Sequence, residues 1–142
     1  MMVRLLYASR ATAVSPETID AILAQSRAHN PAQGITGILC HGGEVFMQVI
    51  EGGRDAVNQL YGAIVRDDRH HDVTLLHFEE IAERRFAAWT MGAVNLARIN
   101  PSIVLKYSAR PLLDPFSVSG QASMAMLEEL IATAAIVGRA GS

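Results

Sequence analysis

A chain of 142 residues, half of them apolar and 18% charged, is the size of one domain and can bury a core, which argues against general disorder. Twelve basic residues against 14 acidic ones, a net charge of -2 with no block of like charge, exclude an electrostatically driven nucleic-acid binder. The single cysteine, Cys40, can close neither an internal disulfide nor a structural zinc site, and no run reaches the roughly 18 apolar residues of a membrane span.

Val3 to Ser9 is rich in strand formers and predicts a first strand. Ser15-Pro16-Glu17 is a helix start, with a capping Ser, a Pro suited to the first helical position and acidic residues at the positive helix end. Ile19, Ile22, Leu23 and Ser26 recur at helical spacing along that helix, which is expected to stop near His29-Asn30-Pro31 because Pro31 disfavours helical dihedrals at Asn30. Gly34 to Cys40 predicts a strand whose two glycines need a bulge or a closely approaching group. Gly42-Gly43 then turns the chain into Val45–Ile50. From Arg54, the positions Val57, Leu60, Tyr61, Ile64 and Val65 have amphipathic-helix spacing as far as the charged run 66–71. Two more strands are expected, Val73 to about Ile81 and Phe86 to about Leu96. After Asn100-Pro101 the sequence predicts a short helix over Ser102–Ser108, a turn over Arg110–Pro115 and a final helix over Ser119–Val137, with Met124, Leu127, Leu130, Ile131 and Ala134 on one face.

This order, β-α-β-β-α-β-β, predicts an α+β protein: a ferredoxin-like sheet with two helices on one face and the C-terminal helices capping the other. Alternation along Val45–Ile50 puts Phe46, Gln48 and Ile50 on one side and Val45, Met47 and Val49 on the other, equally apolar. Leu6 and Ala8, Thr36 and Ile38, and Leu76 and Phe78 are expected to continue that second surface. It would be a large exposed patch if left bare, so the C-terminal residues Met124, Leu127 and Ile131 are expected to cover it. The division expected is a core over residues 1–97 and an extension over residues 98–142 within one structural domain.

A few polar residues do not suit a bland core. Gln48 sits between Phe46 and Ile50 on one face, where an unpaired amide would cost on the order of 1–3 kcal/mol. The bland reading is a satisfied core glutamine or an edge residue in water; otherwise the side chain needs partners for an amide that both donates and accepts. Tyr7 and Ser9 share a face of the first strand, and Trp89 and Met91 share a face of the last; each pair is open to a purely structural reading. Asn30 suits a helix end, and Arg69, His70 and His71 suit the negative end of the helix before them. The five histidines lack metal-ligand spacing, and no phosphate loop, nucleophile elbow or catalytic carboxylate pair is present. Glu79 and Glu80 point to opposite strand faces and cannot act together.

Taken jointly, Leu6-Tyr7-Ala8-Ser9, Asn30 with Gly34-Ile35-Thr36-Gly37, Phe46-Met47-Gln48-Val49-Ile50-Glu51-Gly52, and Arg85-Phe86 leading to Trp89-Thr90-Met91-Gly92 resemble BLUF domains, blue-light sensors that use FAD. The resemblance covers about Met2 to Leu96. It implies that the flavin lies between the two helices over the sheet, that Tyr7 is the electron donor, and that Gln48 bridges the Tyr7 hydroxyl to the flavin N5/O4 edge. It places Asn30 at the O4/N3 edge, Arg69 and His70 at the O2 side or towards the ribityl and phosphate portion, and His29 and Ile22 flanking the ring. Trp89 and Met91 would lie on the strand that reports the photoreaction, with Ser9 near enough to influence which way they point. Since no G-x-G-x-x-G is present, FAD is expected from the resemblance alone, which leaves room for FMN or riboflavin to substitute.

The function implied is a photoreceptor and not an enzyme. Electron and proton transfer from Tyr7 through Gln48 would rearrange hydrogen bonds at the flavin and signal through the sheet and C-terminal helices to a separate protein, since no output domain is apparent. The partners expected are FAD, an unidentified downstream protein and, as an open option, a second copy in a homodimer; neither nucleic acid nor membrane is expected. With no leader recognisable at the amino terminus, the location expected is the cytoplasm. The alternative is a ferredoxin-like regulatory module without photochemistry that binds a small metabolite or a partner protein. A small acylphosphatase-like hydrolase would need an anion-cradling loop after the first strand, for which Ser9-Arg10-Ala11-Thr12-Ala13 is a poor candidate.

Overall fold

Alternating apolar residues on one long hairpin give the molecule two cores, one on each side of a five-stranded sheet. The structure is a computed structural model that describes residues 1–11, 15–112 and 114–132. In chain order it has β1 (Met2–Arg10), α1 (Pro16–Gln33), β2 (Thr36–Gly42), β3 (Val45–Gly53), α2 (Arg54–Arg66), β4 (His71–Ile81) and β5 (Gly92–Asn95). A 3-10 turn (Leu96–Arg98), α3 (Pro101–Tyr107) and α4 (Gly120–Ala132) follow. The sheet order is β4-β1-β3-β2-β5. The first four strands pair antiparallel in the split β-α-β arrangement expected of a ferredoxin-like fold, and β5 adds parallel to β2.

Strand alternation sorts the side chains. Val3, Leu5, Tyr7, Leu39, Phe46 and Ile50 meet Ile19 and Leu23 of α1 and Val57 of α2 on one face. Leu6, Ile38, Met47 and Val49 on the other face pack with Val104 of α3 and Met124, Met126, Leu127 and Leu130 of α4. Each of these buried aliphatic side chains is worth about 1.5–3 kcal/mol relative to exposure, so the second face needs its helical cover. Arg85 pairs with Glu128 and the Arg10 guanidinium lies 4.1 Å from the Phe116 ring centre, which ties the cover to the rest of the chain at two further points, while Lys106 and Glu129 join α3 to α4 within it. The expected second surface is corrected in one place. A register shift between Leu6 and Tyr7 leaves Leu76 against the α4-side core but sets Phe78 opposite Leu5, on the α1/α2 side, where it is half exposed.

Two boundaries differ from the sequence expectation. Helix α1 does not stop at Pro31 but runs through it to Gln33, because the missing proline N–H falls in the last turn. There Gly34, at φ 68°, closes the helix by donating its N–H to the carbonyls of Asn30 and Pro31. The strand expected from Phe86 shrinks to Gly92–Asn95. Upstream of it the backbone bonds elsewhere: Arg85 and Phe86 donate to the Glu51 carboxylate, Trp89 N–H to Phe86 O, and Gly37 N–H to Trp89 O. Gly37 lacks a side chain because a Cβ there would lie 2.1 Å from Val49 O. The expected extension of α4 to Val137, with Ala134, lies outside the described residues, as does the side chain of Ile131. Among the described residues no helix is long and apolar enough to cross a membrane.

Candidate functional site

Register brings residues of three strands together, the polar ones from β1 and β3. Tyr7 lies directly opposite Gln48, Gln48 opposite Leu39, and Ser9 opposite Phe46, so all five share the face under α1 and α2. Helix α1 presents Ile22, Gln25, Ser26, His29 and Asn30 at helical spacing, and α2 presents Leu60, Ala63 and Ile64. Between the two helices and above the sheet these residues, with Asp67, Arg69 and His70, line a cavity of about 300 Å³. That is the lower end of the range for small-molecule sites.

At its floor the Tyr7 hydroxyl donates to Gln48 Oε1 at 2.5 Å, and Gln48 Nε2 donates to Met91 Sδ at 3.3 Å. Both side chains of the first bond are buried, and burial pushes the Tyr7 hydroxyl well above the ordinary phenol range. The Tyr7 ring leans on Tyr61, with ring centres 5.9 Å apart. Asn30 is 3% exposed, and its Nδ2 has no hydrogen-bond partner. A buried amide donor left open in the wall of a cavity is what a bound acceptor would satisfy.

The charged rim is internally paired. Arg69 grips Asp67 through Nε and its own backbone N–H and reaches Gln25 Oε1 at 3.3 Å, which holds the Asp67 carboxyl below the usual carboxylate range. His70 sits between β1 and the end of α2. Its Nε2 faces Ile64 O at 2.8 Å, so that nitrogen carries a proton, and its Nδ1 faces Ser9 Oγ at 2.7 Å.

Tyr7, Ile22, His29, Asn30, Gln48, Arg69 and His70 thus line one cavity. Ser9 stands behind it, bonded to His70 and not to Trp89 or Met91. The expectation that Trp89 and Met91 share a strand face is corrected. They precede β5, and Met91 packs on the cavity side while Trp89 packs against the core under α4, with its Nε1 unpartnered. In the short turn before β5 the two side chains leave on opposite sides of the sheet. Sequence reasoning missed Gln25, Leu39, Ala63 and Asp67; for Ser26, Leu60 and Ile64 the helical spacing was visible but not its destination. No cluster of metal-ligating side chains occurs among the described residues.

The donor set suits the flavin that the sequence leads one to expect. The aliphatic walls from Ile22, Leu39 and Ile64 match a flat ring, and the open Asn30 donor with the Gln48 amide matches its polar edge. Comparison with known proteins agrees. The family model for BLUF, sensors of blue-light using FAD, matches residues 2–92. The photoactivated adenylate cyclase subunit beta of Euglena gracilis is 40% identical over 89 residues, 61% of this chain and 10% of that protein. The blue light- and temperature-regulated antirepressor BluF of Escherichia coli (strain K12) is 31% identical over 97 residues, 68% of this chain and 24% of that protein. The chain therefore spans about a tenth of the cyclase relatives and a quarter of the antirepressor. Among solved structures, BlrB, a BLUF protein in its dark state, superposes with a TM-score of 0.78 at 33% identity over 94% of this chain and 96% of that one. The BlsA photo-activated state gives 0.83 at 29% identity over 92% and 95%.

Proposed function

Because the chain belongs to the BLUF family, the sensors of blue-light using FAD, we propose that it reads light through the bonded line Tyr7–Gln48–Met91 at the floor of its cavity. That line is the observation that carries the reading: a phenol donating to an amide oxygen at 2.5 Å, with the amide nitrogen on a thioether. Bound FAD supplies the blue-light absorption and, once excited, a destination for one electron. Asn30, Gln48, Arg69 and His70 would hold it at its polar edges, and Ile22 and His29, which also line the cavity, would flank it.

Tyr7 is the oxidisable group bonded to Gln48. Its buried hydroxyl resists ionisation in the resting state but becomes strongly acidic once an electron leaves, and the acceptor already in place is Gln48 Oε1. With that proton on Oε1 the Gln48 amide would rearrange, by rotation or tautomerisation, and Nε2 would exchange its weak thioether partner for a stronger one. An electron and a proton would return to Tyr7, leaving the phenol and the amide both neutral. A buried amide with two satisfied arrangements is a bistable element. Ser9 acts one step back by orienting His70.

Residues 1–97 serve as the sensor and residues 98–142 as a cover through which the change leaves the sheet. The support is that β3 carries Gln48 on one face and Met47 and Val49, packed under α4, on the other. In this reading the chain contributes sensing and not catalysis, and it acts in the cytoplasm on a separate effector or through assembly with a second copy. The test is direct. Protein purified with FAD should be yellow, and blue light should move its visible band slightly to the red, reverting in the dark. Protein that takes up no flavin, or a band that does not move, overturns the proposal.

A further inference from the structure

One carboxylate in this molecule is wholly buried and has no part in the cavity. Glu51, three residues after Gln48 on β3 and on the opposite face, is 0% exposed. Its Oε2 accepts from Arg4 Nε at 2.8 Å, Arg4 Nη2 at 2.7 Å and Arg85 N–H at 3.1 Å, and its Oε1 accepts from Phe86 N–H at 2.7 Å. Arg4 lies directly opposite in register and also pairs with Glu79. A carboxylate held by four donors is stable in the interior only while all four stay in place.

Two of those donors open the segment that ends at Met91. Phe86 O accepts the Trp89 N–H at 3.1 Å, and Trp89 O accepts the Gly37 N–H at 3.0 Å. Two residues later Met91 meets Gln48. Before Gly92 the segment is tied to β2 by the Gly37 N–H and to α1 by Arg27 Nη2, which donates to Met91 O at 3.1 Å, and Glu51 supplies at its start the acceptors that strand pairing supplies elsewhere. The same strand therefore carries the amide and the clamp that sets how near the sulfur comes to it.

We infer that Glu51 is a positioning residue for the light response: by clamping the backbone N–H groups of Arg85 and Phe86, it fixes Met91 against Gln48 and so sets the lifetime of the switched state. This rests on the photoswitch reading given above. Glu51→Gln keeps one acceptor oxygen but offers the second N–H an amide nitrogen that cannot accept. Arg4→Met with Glu51→Leu removes the ion pair at similar volume, so no buried charge is stranded, and leaves both N–H groups without their acceptor.

The experiment compares the two variants with the parent chain, all loaded with FAD. It measures amide hydrogen exchange in the dark and the rate at which the red-shifted band decays. At least one folded variant should show exchange at Trp89–Met91 raised about tenfold relative to β1 and α2, and a decay rate changed at least threefold, with the red shift still present. Exchange at Trp89–Met91 equal to the parent's in folded protein overturns the clamp. Raised exchange with unchanged decay makes Glu51 merely structural and overturns the positioning role. A red shift missing from the parent itself overturns the photoswitch reading, and the positioning role with it.

Discussion

Tyr7 and Gln48 face each other across the β1–β3 ladder, and the 2.5 Å bond from the phenol to Oε1 dictates which end of the amide meets the tyrosine. The other end is thereby turned to Met91 Sδ, a weak acceptor. The amide has one strong and one weak partner, so it has something to gain by turning when the strong donor changes.

Tyr7→Phe and Gln48→Leu should each keep the flavin and abolish the light-induced red shift. Neither should cost more than a few kcal/mol, since one removes a single hydroxyl and the other replaces a buried amide with an aliphatic group of similar size. Difference absorption spectra before and after blue light decide the matter. A shift of parental size in either variant removes that residue from the switch.

Asn30→Leu should move stability and binding in opposite directions. Its buried Nδ2 has no partner in the protein alone, an arrangement that costs on the order of 1–3 kcal/mol, so the flavin-free variant should melt no lower than the parent. The flavin should bind about tenfold more weakly, as expected when roughly 1.4 kcal/mol of hydrogen bonding is lost. Titration by flavin fluorescence quenching and thermal melts of apoprotein measure the two effects. Unchanged affinity would show that Asn30 does not reach the ligand.

Trp89 and Met91 should separate cleanly, because they lie on opposite sides of the sheet. Met91→Leu is nearly volume-conserving and should cost under about 1.5 kcal/mol, yet it removes the sulfur from Gln48 and should alter the decay of the red-shifted band severalfold. Trp89→Phe should leave that decay within twofold while lowering the melting temperature through looser packing under α4. The opposite pattern of decay rates would place Trp89, not Met91, at the amide.

Alkaline pH should unfold the protein earlier than its net charge suggests. Burial pushes the Cys40 thiol from 9.0 up to about 12 and raises the Tyr7 hydroxyl as well. Both groups hold their protons more tightly folded than unfolded. The stability they contribute is therefore complete below their unfolded values, near 9 for the thiol and near 10 for the phenol, and is lost as pH rises from there towards the folded ones. Melting temperature should be level from pH 7 to about 8.5 and fall steadily above about 9. Cys40 should resist thiol reagents at pH 8 until the chain unfolds, because the thiolate is the reactive form. A level melting profile up to pH 11 would contradict both.

The sequence by itself determined the element order and the two-sided β3, and it singled out Tyr7, His29, Asn30, Gln48, Arg69 and His70 but not Gln25, Ser26 or Asp67 among the polar residues of the cavity. These follow from periodicity, from residue types such as Gln48 that an apolar strand does not otherwise tolerate, and from the motifs that resemble BLUF domains. It also indicated the cover, because a second apolar face at Met47 and Val49 cannot be left in water. The glycine cap that lets helix α1 pass Pro31 is local, three residues on at Gly34. What only the tertiary structure decided was hydrogen-bond accounting over a long sequence separation. The chain from Phe86 to Met91 is no strand because a carboxylate 35 residues away from Phe86 takes its first amides. That exchange of ladder for clamp sends Trp89 and Met91 to opposite sides of the sheet. Local propensity sees neither, since Glu51 reads as one more charged residue until folding buries it against Arg4.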